Sequence, residues 1–104
     1  MPTVSFVYPQ DGGIASHPSF KPQVDIEVGS RVREVTYVLD GTIKTTALSF
    51  PYDQPIRVPR GVKLEGEHTL EVTVIDEYYN KATDTVTFRF EEDRGVPFVR
   101  FITP

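Results

Sequence analysis

The chain has 104 residues, enough for one modest hydrophobic core and too few for two. Hydrophobic residues make up 38% and charged residues 25%, which excludes a disordered chain and a membrane-inserted one; the net charge of −4 gives no electrostatic ground for a nucleic acid partner. With no cysteine, a disulfide, a thiol nucleophile and a cysteine-based metal site are all excluded.

Apolar and polar residues alternate with period 2 almost throughout, and 9 prolines and 7 glycines break the runs. Thr3 to Tyr8 is a first strand with Val4, Phe6 and Tyr8 on one face, ended by Pro9-Gln10-Asp11-Gly12-Gly13. Residues 14–22 read as a loop. Gln23 to Val28 is a second strand, with Val24, Ile26 and Val28 inward and Asp25 and Glu27 outward. Val32 to Leu39 is a third, with Val35, Tyr37 and Leu39 inward. Asp40-Gly41 then predicts a type I′ hairpin turn, because both central residues of that turn need positive φ. Thr42 to Leu48 is the return strand, rich in threonine and carrying Lys44, as suits a solvated edge.

Phe50-Pro51-Tyr52 opens a stretch punctuated by proline, with one short strand around Ile56 and Val58. Residues 60–67 form a connection with glycines at 61 and 66, in which Val62 and Leu64 are expected to tuck onto the core. His68 to Ile75 places Leu70, Val72 and Val74 inward. Asp76-Glu77-Tyr78-Tyr79-Asn80 is a turn, and Ala82 to Phe90 returns with Val86, Phe88 and Phe90 inward. About seven short strands separated by turns is the pattern of an all-β, immunoglobulin-like Greek-key sandwich.

The end of the chain repeats its beginning. Residues 97–104, Pro-Phe-Val-Arg-Phe-Ile-Thr-Pro, share proline, valine, phenylalanine and proline in step with residues 2–9, Pro-Thr-Val-Ser-Phe-Val-Tyr-Pro. Residues 1–93 are therefore read as the sandwich. Residues 94–104 are read as a linker plus the first strand of a following similar domain; the other reading is one more strand closing this domain. Met1-Pro2-Thr3 leads straight into a strand without the basic start and apolar stretch of a signal peptide. An export address for the parent protein would then lie outside this segment.

Several pieces, in order, resemble bacterial Ig-like domains. Pro9-Gln10-Asp11-Gly12 is similar to the "P-x-D-G" that closes their first strand, and Val35 to Gly41 to their "V-x-F-Y-V-D-G" strand and turn. Phe50-Pro51-Tyr52 is similar to their "P-Y" segment, and Gly66-Glu67-His68-Thr69-Leu70 to their "G-x-H-T-L". Asp76 to Asn80 sits where they carry "D-x-x-G-N", with Tyr79 in place of the glycine. That departure implies another turn geometry or a longer turn. The resemblance implies a structural role for Asp40, Gly41, Gly66 and His68. It also implies an extracytoplasmic or cell-surface setting as spacer, anchor or accessory module, including the C-terminal accessory domain of a penicillin-binding protein. The expected partners are neighbouring domains of the same chain and a cell-wall glycan or surface protein.

No catalytic constellation is present. None of the serines at 5, 16, 19, 30 and 49 lies in a Gly-x-Ser-x-Gly elbow, and there is no phosphate-binding loop. His17 and His68 lack zinc spacing, and His68 is expected to bond to nearby backbone at the start of its strand. The reading is accordingly not an enzyme, with no cofactor assigned. Two surface features remain as candidates. Asp76, Glu77 and Asn80 supply hard oxygen ligands for Ca²⁺ in one turn, a second acidic group being Glu91-Glu92-Asp93. Tyr78 and Tyr79 are adjacent in the same turn, where two rings cannot both hide, and an exposed ring can stack on a sugar or anchor a protein.

Overall fold

The alternating pattern becomes nine strands among residues 2–91, the part of the chain that the structure, a computed structural model, describes. The boundary after residue 93 and the repeat at 97–104 lie outside the described residues. The strands are β1 (Thr3–Tyr8), β2 (Ile14–Ala15), β3 (Ser19–Phe20), β4 (Gln23–Glu27), β5 (Val32–Leu39), β6 (Ile43–Ala47), β7 (Ile56–Arg57), β8 (His68–Asp76) and β9 (Lys81–Phe90). The seven expected strands are all present within a residue or two. β2 and β3, two residues each, lie in the stretch read as a loop; they are too short to show a period of 2.

The larger layer has the order β2-β9-β8-β5-β6, and the smaller consists of β1 paired with β4 and β3 paired with β7. All pairings are antiparallel except that of β2 with β9. The inward faces meet as the sequence pattern requires: Val35, Tyr37, Leu39, Leu70, Val72 and Val74 have no exposed surface. Phe6 packs on Tyr37 with ring centroids 6.4 Å apart, and Phe20 on Phe88 at 5.7 Å. Each such side chain contributes roughly 1.5–3 kcal/mol by leaving water, most of it offset by chain entropy. Val62 packs on the core as expected, whereas Leu64 is 36% exposed. Its carbonyl, not its side chain, faces inward, toward His68.

The open edges differ. Residues 11–15 cover β9: Gly12 N–H donates to Thr87 C=O at 2.6 Å, Arg89 N–H to Gly13 C=O at 3.0 Å, and Thr87 N–H to the Asp11 carboxylate at 2.9 Å. β6 lies at the far edge with Lys44 exposed, as its composition suggested. β1 is tied to the larger layer through Asp84, whose carboxylate accepts the Phe6 N–H at 3.0 Å.

These contacts fix the path of the chain. Residue 6 lies by 84, 11 by 87 and 14 by 89, so the run from β1 through β2 travels in the same direction as β9. The chain thus starts at the pole that holds the 76–80 turn, here the upper pole. β9 ends at the lower pole, beside the β5–β6 turn and the start of β8.

Candidate functional site

At the lower pole, two of the family-like motifs meet. Asp40 and Gly41 have φ of 54° and 78°, the positive values the turn demands, and Thr42 N–H closes the turn on Leu39 C=O at 3.1 Å. Thr42 then remains in the loop, so Leu39 pairs with Ile43 and the connection has one residue more than a two-residue hairpin. The Asp40 carboxylate reaches across to β8. Its Oδ1 accepts the Thr69 N–H at 3.0 Å and its Oδ2 accepts from His68 Nδ1 at 2.7 Å. His68 is buried, and its Nε2 lies 3.3 Å from the Leu64 carbonyl oxygen. The expected backbone bond of His68 is thus joined by one to a side chain 28 positions earlier in the sequence. Gly66, at φ 82°, makes the turn that brings Leu64 back under the ring.

Phe90 stands between the two histidines, with ring centroids 4.7 Å from His68 and 6.1 Å from His17. Sequence distance hid this proximity. The histidines do not converge on a shared ligand position, since His17 Nε2 lies 3.1 Å from the Glu91 carbonyl oxygen and His68 is engaged with Asp40. The cluster of Phe20, His68, Phe88 and Phe90 closes the core at this end.

The 76–80 turn forms the upper pole. Asp76 is buried and organises it. Its Oδ1 accepts the N–H of Tyr78 at 2.9 Å and of Asn80 at 2.8 Å, and its Oδ2 accepts from the Asn80 side-chain amide at 3.1 Å. Burial alone would raise the Asp76 carboxyl, but the bonds from Asn80 and Tyr78 outweigh it and hold it below its ordinary value. Glu77 accepts the Arg31 N–H at 3.1 Å and returns its own N–H to Arg31 C=O at 2.9 Å. The three residues expected to offer calcium ligands therefore stand together, with both Asp76 oxygens spent on the turn. Among the described residues, no three histidine, aspartate or glutamate side chains gather as a metal site. Glu91 is at the other pole, and Glu92 and Asp93 lie outside the described residues.

Tyr79 adopts φ 66°. Position 79 thus takes a left-handed conformation that favours glycine, with tyrosine occupying it. The cost for a residue with a Cβ is about 1–2 kcal/mol. Tyr78 and Tyr79 are 72% and 66% exposed, so neither covers the core. The Arg33 guanidinium lies over the Tyr79 ring, 4.3 Å from its centroid, which holds the ring in place from below.

Beside this turn lies a groove of about 650 Å³ between β4 and the Phe50–Tyr52 segment. Tyr37 props its wall: the buried hydroxyl donates to the Tyr52 carbonyl at 2.6 Å. Burial, and secondarily the Asp53 carboxylate, push that hydroxyl up to about 12. No sequence signal announced this bond, because Tyr37 reads simply as an inward-facing apolar position.

This geometry has a solved counterpart. A structure described as the fibronectin(III)-like modules of Clostridium thermocellum CbhA superposes with a TM-score of 0.67, covering 88% of this chain and 99% of that one at 18% identity. The fold is a fibronectin(III)-like, Ig-type β-sandwich. No protein-family model matches the chain, and no curated protein matches it. The expectation of an immunoglobulin-like sandwich thus holds, and the likeness speaks for the fold alone.

Proposed function

We propose that the chain is a non-catalytic spacer or interaction module of a multidomain bacterial extracytoplasmic or cell-surface protein. The observation that carries this reading is the path of the chain, which begins at the upper pole and leaves β9 at the lower one. A domain threaded in this way holds apart whatever precedes and follows it. The likeness to the CbhA modules supports the reading, and so does the spending of Asp40, His68 and Asp76 on turns and strand starts. Residues 94–104 act in this reading as the linker and opening strand of a similar following domain.

Two copies of the sequence joined in tandem test it by small-angle X-ray scattering. The expected particle is elongated, with the copies end to end. Copies folded side by side would overturn the spacer role.

A second reading is favoured by Tyr79. An exposed aromatic held in a costly backbone conformation supports this reading. In this reading Tyr78 and Tyr79 form a binding surface for a cell-wall glycan or a surface protein. Titration with cell-wall fragments decides it: binding abolished by Tyr79→Ala supports the surface, and no binding by the unaltered domain removes it.

A further inference from the structure

Among the described residues, the smaller layer lacks a strand along part of its length. β3 and β4 are one strand interrupted at Lys21-Pro22; the first part pairs with β7 and the second with β1. On the side away from β1, β4 has no backbone partner among the described residues. Continued in the same register, the β3–β7 pairing would set Tyr52 opposite Val24 and Phe50 opposite Ile26. The sequence forbids that continuation. Pro51 and Pro55 have no N–H to donate, and Tyr52 sits at φ 64°, outside the range of any strand. Its carbonyl is meanwhile committed to Tyr37. The groove is the space left behind, lined by Val24, Ile26 and Val28 from one side and Phe50 and Tyr52 from the other.

We propose that this groove takes an extended peptide from a partner protein, added to β4 as the strand that the described residues do not supply. A free strand edge offers a row of N–H and C=O groups that only another extended backbone can pair in sequence, which a sugar or a helix cannot do. Side chains fix the peptide's character. Val24 and Ile26 pack on the core while Asp25 and Glu27 point outward, so the partner presents alternate apolar residues inward and a basic residue outward opposite Asp25. β1 displays the apolar half of this code on the other edge, with Val4 and Phe6 opposite Ile26 and Val24 and Ser5 opposite Asp25. Phe50 is 84% exposed and edge-on to Tyr52 at 6.1 Å, leaving a ring free to close over the incoming strand. This site is independent of the spacer role and of the Tyr78–Tyr79 surface.

The probe is a synthetic peptide with the sequence of residues 2–9 in which Ser5 is replaced by arginine, the β1 pattern with a basic residue at its centre. It is titrated to about 1 mM, the upper end of weak specific binding, into the isotope-labelled full chain and followed by amide NMR. Shifts confined to residues 24–28 and 50–52, with slowed hydrogen exchange along β4, are expected. The same peptide N-methylated at alternate residues should fail to bind, and Asp25→Lys, at an exposed position, should weaken binding about fivefold with the fold unchanged. No shifts at that concentration, shifts centred on residues 78–80, or binding that survives N-methylation would each overturn the proposal. So would concentration-dependent pairing of the protein with itself through β4, which would put a second copy in the groove.

Discussion

Tyr37→Phe removes a single oxygen from the centre of the sandwich and tests how far that atom supports the fold. The ring is fully buried and its hydroxyl donates to the Tyr52 carbonyl at 2.6 Å. Phenylalanine refills nearly the same volume, so the loss is the hydrogen bond and the stranding of a carbonyl, about 1–3 kcal/mol at neutral pH. For a domain of this size that lowers the melting temperature by roughly 4–8 °C per kcal/mol. Alkaline pH sharpens the test. The hydroxyl titrates near 10.0 in the unfolded chain and at about 12 in the folded one. The folded state holds this proton more tightly, so the contribution is complete below pH 10 and is lost as pH rises toward 12. Over that window the unfolded chain gains at most about 2–3 kcal/mol from ionising a group that the native state keeps neutral. The variant has no such group, while all other tyrosines and lysines are common to both proteins and cancel in the difference. Urea unfolding at about pH 8 and about pH 11.5 should therefore show the stability gap between the two shrinking by an amount of this order. An equal gap at both pH values would refute the assignment of the raised value to Tyr37.

Further expectations concern the upper pole. The lowered Asp76 carboxyl contributes stability that is present above the unfolded value of 3.8 and is lost as pH falls through the folded one. Asp76→Asn should therefore narrow the loss of stability on acidification below that value, as read by urea unfolding at several acidic pH values. Tyr79→Ala and Tyr79→Gly both lose the Arg33 contact, but only glycine relieves the positive φ, so the glycine variant should melt as the more stable by about 1 kcal/mol. Added calcium should leave the melting temperature unchanged, because an ion binding at this turn would have to displace the donors that Asp76 already accepts.

The strands were legible because each long one buries a single face. Val35, Tyr37 and Leu39, or Leu70, Val72 and Val74, announce their layer by alternation alone. β2 and β3 were not legible, since what makes them strands is a partner far along the chain, β9 in one case and β7 in the other. Asp40-Gly41 could be read as a turn from its backbone preference, but its bond to His68 depends on a meeting of β5 and β8 that no local pattern encodes. The backbone at Tyr79 was not legible for a related reason. Its left-handed conformation is held by the Asp76 bonds to Tyr78 and Asn80, which exist only once the turn has closed. The groove follows from a strand that fails to form; Pro51 and Pro55 were visible in the sequence, but the edge they leave bare belongs to another part of the chain.

The parallel contact between residues 11–15 and the end of β9 has a mechanical meaning. A pull on the two ends of the domain draws the first run upward and β9 downward, along the direction of both. The bonds from Gly12, Arg89 and Glu91 and the one to Asp11 then share the load side by side in shear, so they must give way together instead of unzipping one at a time. Rupture of that small patch would set the force at which the sandwich begins to open.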